Sequence, residues 1–448
     1  MKKYLNKLEN LLLYLLPIVI FFSFYPVIRL GESDSMHFEL SLPLIWLFIF
    51  GIISLFRLPS ILTKYGFKKS ALLLLFPIWM IASIFWSKNA LRGVLTTGIA
   101  ALIFLSVINI VNMKLSKEFL KKILKIYLIS SVVAATLCII QSFLDVLGAG
   151  RDITLLCPGC VYSVLGFPHP NGLAIEPQFM GNMLIAPALL SLLFLYNAIK
   201  LGKSKRAMFG FLGLSIFLIM SLYICCSRGA IYAFGIAGAI MGITLLIRDK
   251  SLRASWLILP VLIGCACGLL LQGVWAEMSP TNENFVQGVQ RSIHQITLGK
   301  IDIREKIESG GDESTFSGYI EESTDIRLNI NELAMGAWGH NNIWTGVGVG
   351  GAGTAISEYT DQMSSKEIIQ NEYINTLVEF GIIGVILFLI FIITIVKSAK
   401  KFAGGVLLIP LIIAYLITLC FFSGFPNVLH IYLFTPILYW VGQKHLLC

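Results

Sequence analysis

The chain has 448 residues, of which 56% are hydrophobic and 13% charged. A soluble protein of this length does not carry so apolar a composition, so the sequence reads as an integral membrane protein with many spans. A net charge of +9 in a soluble domain would point to nucleic acid. Here the positive residues sit in short loops between apolar runs, the positive-inside pattern, and no nucleic-acid partner is expected.

A run of about 17–25 apolar residues crosses the roughly 30 Å of hydrocarbon in a bilayer. Twelve such runs fall at 11–30, 40–56, 71–86, 93–111, 123–147, 180–199, 207–226, 230–247, 254–272, 380–396, 404–422 and 428–441. The first has no small-residue cleavage site and is expected to be retained as a span. Lys2, Lys3 and Lys7 precede it, and further Lys and Arg gather after every second span: Arg57, Lys64, Lys68 and Lys69, then Lys114, Lys117, Lys121 and Lys122, then Lys200, Lys203, Lys205 and Arg206. Arg248, Lys250 and Arg253, and then Lys397, Lys400 and Lys401, continue the series. Both termini are therefore expected in the cytoplasm. The expected fold is an all-α polytopic membrane protein of about twelve spans. Spans one to nine occupy 1–272 with an outward loop at 148–179, an extracytoplasmic loop domain occupies 273–379, and spans ten to twelve occupy 380–448.

The residues able to carry chemistry gather on the outward side. Arg228, in Cys225-Cys226-Ser227-Arg228-Gly229, lies in a connection so short that the seventh and eighth spans form a tight hairpin. An arginine there is either an interfacial side chain reaching lipid headgroups or a ligand for an anion. Arg327 belongs to an acidic loop, and a helix is expected around it at 325–338. Its alternatives are a salt bridge to Glu322 or Asp325 and a bidentate fork for phosphate oxygens. Glu176, just before the sixth span, faces the outer boundary beside apolar residues, where desolvation raises a carboxyl toward the range of a general base. The bland alternative is an ordinary helix-start glutamate. Gln178 and Asn182 lie one turn apart behind it. Cys157 and Cys160 read as a disulfide on an outward loop, with redox chemistry or half a metal site as alternatives. The tract 346–353 is Gly-rich but lacks the Lys-Ser/Thr of a nucleotide loop.

Five features recur in one order on one side of the membrane. These are the Phe-Trp-Ser-Lys-Asn segment at 85–89, the Ser-Arg-Gly hairpin at 227–229, the arginine helix, the Gly-rich turn, and Gln370-Asn371 followed after nine residues by Gly381-x-x-Gly384. Together they resemble the bacterial O-antigen ligase and polymerase family, which carries His where this chain has Gln370. The resemblance implies a GT-C-like, metal-independent glycosyltransferase with no cofactor in the bacterial cytoplasmic (inner) membrane. A polyprenyl-diphosphate-linked oligosaccharide would be the donor, with Arg228 and Arg327 on its diphosphate, and a glycan, lipid or protein hydroxyl the acceptor. Glutamine cannot take a proton as histidine does, so Gln370 is left to orient groups. Glu176 is the preferred base, with Glu372, His340 and His169 behind it. His169, Gln178, His340 and Asn371 are candidate contacts to glycan or acceptor. A transporter or flippase, and a catalytically silent glycan-binding relative, are the rival readings.

Overall fold

The computed structural model describes residues 2–22, 28–33, 36–62, 67–113, 115–147, 163–164, 167–174, 176–250, 252–279, 283–297, 316–361, 363–365, 368–400, 405–421 and 429–443. In chain order these form α1 (Lys2–Val19), β1 (Ile28–Ser33), β2 (Met36–Leu40), α2 (Leu42–Leu62), α3 (Phe67–Ser83), α4 (Ala90–Asn112) and α5 (Lys117–Val146). They continue with β3 (Ser163–Val164), β4 (Phe167–Pro168), α6 (Pro177–Lys200), α7 (Lys205–Ile224), α8 (Arg228–Asp249) and α9 (Ile258–Met278). The rest is α10 (Phe285–Ile296), α11 (Phe316–Gly339), α12 (Ala352–Tyr359), α13 (Glu372–Lys400), α14 (Gly405–Thr418), a π-helical turn at His430–Phe434 and α15 (Thr435–Gln443).

Each expected span falls on a helix, and among the described residues nine are long and apolar enough to cross a membrane. The protein is thus a polytopic helical membrane protein. The starts follow local chemistry: Asn89, Ser116, Ser204 and Ser227 accept backbone N–H groups at the heads of α4, α5, α7 and α8. Two short antiparallel hairpins, β1–β2 and β3–β4, qualify the all-α expectation. The first ends the opening span early, since a 3₁₀ turn closes α1 at Phe22 and Ile28 already belongs to a strand.

The helix α6 is the axis of the bundle. Of its span 89% is buried inside the protein, against 33% to 44% for the other eight candidates. The starts of α4, α6, α8 and α13 and the ends of α3, α7, α9 and α14 lie at one end of the bundle, joined by α10, α11 and α12. At the opposite end Arg57 pairs with Glu9 at 2.7 Å and Lys200 with Asp249 at 2.8 Å.

The expected arginine helix begins nine residues earlier than 325, so Arg327 sits in mid-helix rather than at its head. The expected tenth span also starts earlier, at Glu372, and breaks at Gly381, where φ is +65°. A break frees backbone groups that must find partners in apolar surroundings. The Gly-rich turn supplies them. Ile382 N–H donates to the Ile343 carbonyl at 3.1 Å and Ile383 N–H to Trp344 at 3.2 Å. In return Val347 and Gly348 N–H donate to the Val378 and Glu379 carbonyls, each at 2.9 Å. Gly346, Gly348 and Gly350 all adopt positive φ to make this approach.

The outer side of the turn docks on the 83–93 segment. Lys88 N–H donates to Val347 at 3.0 Å, Val349 N–H to Ser83 Oγ at 3.2 Å, and Ser87 Oγ to Val349 at 2.7 Å. The indoles of Trp79 and Trp86 donate to the Phe380 and Thr345 carbonyls at 3.1 and 3.3 Å. The glycine tract is thus a structural plug. A Cβ on Gly381 would collide with the Trp344 carbonyl. Gly381→Ala is therefore expected to lower stability by more than the ~1–3 kcal/mol of a left-handed non-glycine residue alone. Thermal unfolding in detergent measures this. Gly213→Ala, where open space surrounds the helix, leaves the midpoint unchanged or raised.

Candidate active site

The outer end of α6 is the floor of the site. Glu176 occupies the N-cap position with extended backbone, but its side chain makes no capping hydrogen bond. Its carboxylate is instead exposed at the surface. The side chain is closely surrounded there, so desolvation raises its pKa, and the Arg327 guanidinium offsets part of the rise. Two residues on, Gln178 Nε2 donates to the Phe421 carbonyl at 3.2 Å. Gly181 lets α8 close in, since a Cβ there would meet those of Ser227 and Ala230 at 3.0 Å. Five residues of helix, about 7.5 Å of rise, thus separate Glu176 from the turn bearing Arg228.

Arg228 is the first residue of α8 and is half-buried. Gly229 beside it packs against the Phe421 ring. His169 reaches the same turn from the first outward loop, its ring against the Cys226 carbonyl and near Arg228. That loop is fixed by Gln141 on α5, which accepts from Gly172 N–H at 2.8 Å and donates to Asn171 Oδ1 and Gly172 O at 3.1 Å.

The roof is the loop domain. Ile330, one turn beyond Arg327 on α11, and Ile369, next to Gln370, belong to one small buried cluster with Ala334, Ile356 and Val378. The cluster ties the helix bearing Arg327 to the segment bearing Gln370. Gln370 is half-buried, and its Oε1 is buried with no hydrogen-bond partner. Asn371 is the N-cap of α13, its Oδ1 accepting Tyr373 and Ile374 N–H at 3.0 and 3.2 Å. Only its amide NH₂ is left for a ligand. Glu372 is buried, and its N–H donates to Leu419 at the end of α14 at 2.9 Å.

The structure therefore brings together Glu176 with Arg327, His169 with Arg228, and Gln178 and Glu372 around the end of α14. It sets His340 apart: the ring lies tilted against Tyr359 at 4.8 Å, thirteen residues and about 20 Å of helix from Arg327. Cys157 and Cys160 lie outside the described residues.

Two residues escaped the sequence reading. Arg291 on α10 is buried, paired with Glu283 and close to Cys226. Its signal was the amphipathic 285–296 stretch behind the reciprocal Asn284/Gln287 cap. Glu379 is buried as well; its carboxylate accepts the Gly350 and Ala352 N–H groups and faces Arg92. It anchors the plug.

An enclosed central helix therefore has arginines, carboxylates and carboxamides near its N-terminal end. Residues 209–389 match the family model described as O-antigen ligase, a stretch that holds Arg228, Arg327 and Gln370. Through this stretch the chain is similar to the O-antigen ligase family. No curated protein matches the chain.

His169 generates a pH prediction. Burial disfavours its charged form; the Cys226 carbonyl opposes this, the Arg228 charge adds to it, and the pKa falls from 6.5 to about 4. The unfolded chain takes up this proton below about 6.5, whereas the folded one resists until about 4. Stability from this residue is thus complete above the window and is lost as pH falls through it. Unfolding midpoints recorded from pH 7 to pH 4 are expected to decline more steeply for the native chain than for His169→Gln.

Proposed function

We propose that the protein is a glycosyltransferase that moves a glycan from a polyprenyl-diphosphate carrier to an acceptor hydroxyl at the outer face of the bacterial cytoplasmic membrane. In this reading the chain crosses twelve times with both termini in the cytoplasm. Residues 1–272 and 380–448 form the bundle, and 273–379 form the outer domain that closes over the donor. The observation that supports the proposal is that the Arg327 charge acts on the Glu176 carboxyl at the N-terminal end of α6, within about two helical turns of Arg228.

Arg228 and Arg327 hold the donor diphosphate, each offering a guanidinium that stays charged and can fork onto two oxygens. The N-terminus of α6 adds a positive partial charge. The acceptor oxygen attacks the anomeric carbon as the bond from that carbon to the diphosphate oxygen breaks. The acceptor proton passes to Glu176, whose raised pKa fits it for the task. The lipid diphosphate leaves carrying the bonding pair, and the arginines stabilise the charge that develops on it. Gln370 orients the acceptor through its unpartnered Oε1, the role a glutamine can keep where the family has a histidine.

The test is a set of variants assayed for transfer from a polyprenyl-diphosphate oligosaccharide. Arg228→Lys and Arg327→Lys are expected to fold and to lose most turnover. Glu176→Gln is expected to lose about 10²–10⁴-fold and to flatten the acidic limb of the pH–rate profile, against a modest loss for Gln370→Ala. Near-normal transfer with lysine at both arginine positions overturns the diphosphate assignment. A silent Glu176→Gln beside a damaging Glu372→Gln moves the base to α13.

A further inference from the structure

The connection between α7 and α8 is three residues long, and Cys226 makes the reversal with a φ of +51°. A non-glycine residue in the left-handed region costs of order 1–3 kcal/mol and persists where its surroundings over-determine it. Glycine would take this conformation freely. The sequence places a cysteine there, and the structure gives the cysteine a handle. Gln272, buried at the outer end of α9, donates its Nε2 to Cys226 Sγ at 3.3 Å. The His169 ring sits against the Cys226 carbonyl. Cys226 N–H donates to the Tyr223 carbonyl at 2.9 Å. Side chain, carbonyl and N–H are each held, from α9, from the first outward loop and from the end of α7.

The elements behind this cradle are themselves fixed. α10 lies on α9, where a Cβ on Gly288 would meet the Gln272 carbonyl at 2.8 Å, and Ser292 Oγ lies 3.1 Å from the Tyr223 hydroxyl. Arg291, paired with Glu283, closes the cradle on the Cys226 side. Two residues after Cys226 the chain reaches Arg228. Ser227 between them caps α8, its Oγ accepting Ala230 N–H at 3.5 Å. The backbone from Cys226 to the first turn of α8 is therefore a rigid lever, and the Cys226 φ sets the direction in which the Arg228 side chain leaves it.

We propose that Gln272 and His169 are positioning residues for Arg228: by holding Cys226 left-handed from its thiol and its carbonyl, they fix the guanidinium in the orientation that receives the donor diphosphate. The inference deepens the reading above and rests on Arg228 as a diphosphate ligand.

A double-mutant cycle on the full-length protein in detergent tests it. The variants are Gln272→Ala, Cys226→Gly and the two combined, with thermal midpoints recorded to show that each is folded. Two readouts are taken: the Kd of polyprenyl diphosphate, and the rate of Arg228 modification by phenylglyoxal, followed by peptide mass. Gln272→Ala is expected to weaken polyprenyl-diphosphate binding about tenfold and to change the Arg228 modification rate severalfold. Cys226→Gly stays within about twofold of the native chain. The combined variant behaves as Cys226→Gly alone, because a glycine needs no support in the left-handed turn.

A Gln272→Ala effect that is equal in the Cys226→Gly background overturns the proposal, as does a Gln272→Ala variant that is folded and unchanged in both readouts. If the phenylglyoxal cycle shows the predicted rescue while no variant, nor the native chain, binds polyprenyl diphosphate, the cradle stands and the donor assignment falls.

Discussion

A helix that breaks its own ladder within an apolar bundle leaves carbonyl and N–H groups that water cannot reach, and the break at Gly381 is closed by backbone from 33 to 38 residues earlier in the chain. Four hydrogen bonds exchanged between 343–348 and 378–383 make the glycine turn part of the same unit as α13. The positive φ values of Gly346, Gly348 and Gly381 are what let the two backbones approach. Since the turn is gripped on its other side by Ser83, Ser87 and Lys88, the outer domain is tied to α3, α4 and α13 together. The placement of Arg327 and Gln370 follows from that attachment, because both ride on elements packed against the turn.

The second constraint is the enclosure of α6. A helix surrounded by protein has no lipid-facing side, so the polar residues at its outer end project into the protein or toward the outer domain rather than into headgroups. Glu176, Gln178 and the α8 turn beside Gly181 inherit one fixed frame from it. Charges placed on such a frame need little reorganisation during a reaction, which is where electrostatic stabilisation of a leaving diphosphate is most effective. The ion pairs at the opposite end, Arg57–Glu9 and Lys200–Asp249, hold the helix feet there.

The spans were legible because roughly twenty apolar residues in a row have few alternatives to a membrane helix. The ends were not, because caps, hairpins and breaks depend on partners far along the chain. The opening span reads through to residue 30 as an apolar run, yet the β1–β2 pairing ends it at Phe22. Arg327 reads as the head of a helix because polar residues precede it, whereas α11 starts at Phe316. The glycine tract was visible, but its partner at Ser83 lies 266 residues away and no local pattern points to it. Arg228 could be picked out because an arginine in a tight outer hairpin is costly. Arg291 could not, since burial and its pairing with Glu283 appear only in three dimensions.

The proposed chemistry is that a lipid diphosphate leaves a glycan at the N-terminal end of α6. Purified protein supplied with a polyprenyl-diphosphate oligosaccharide and acceptor tests this directly, by counting free polyprenyl diphosphate against newly attached glycan. The account predicts that the two appear in a one-to-one ratio, and that Arg228→Lys and Arg327→Lys slow both together. Donor that binds and stays intact, or that crosses a vesicle membrane unchanged, would contradict it.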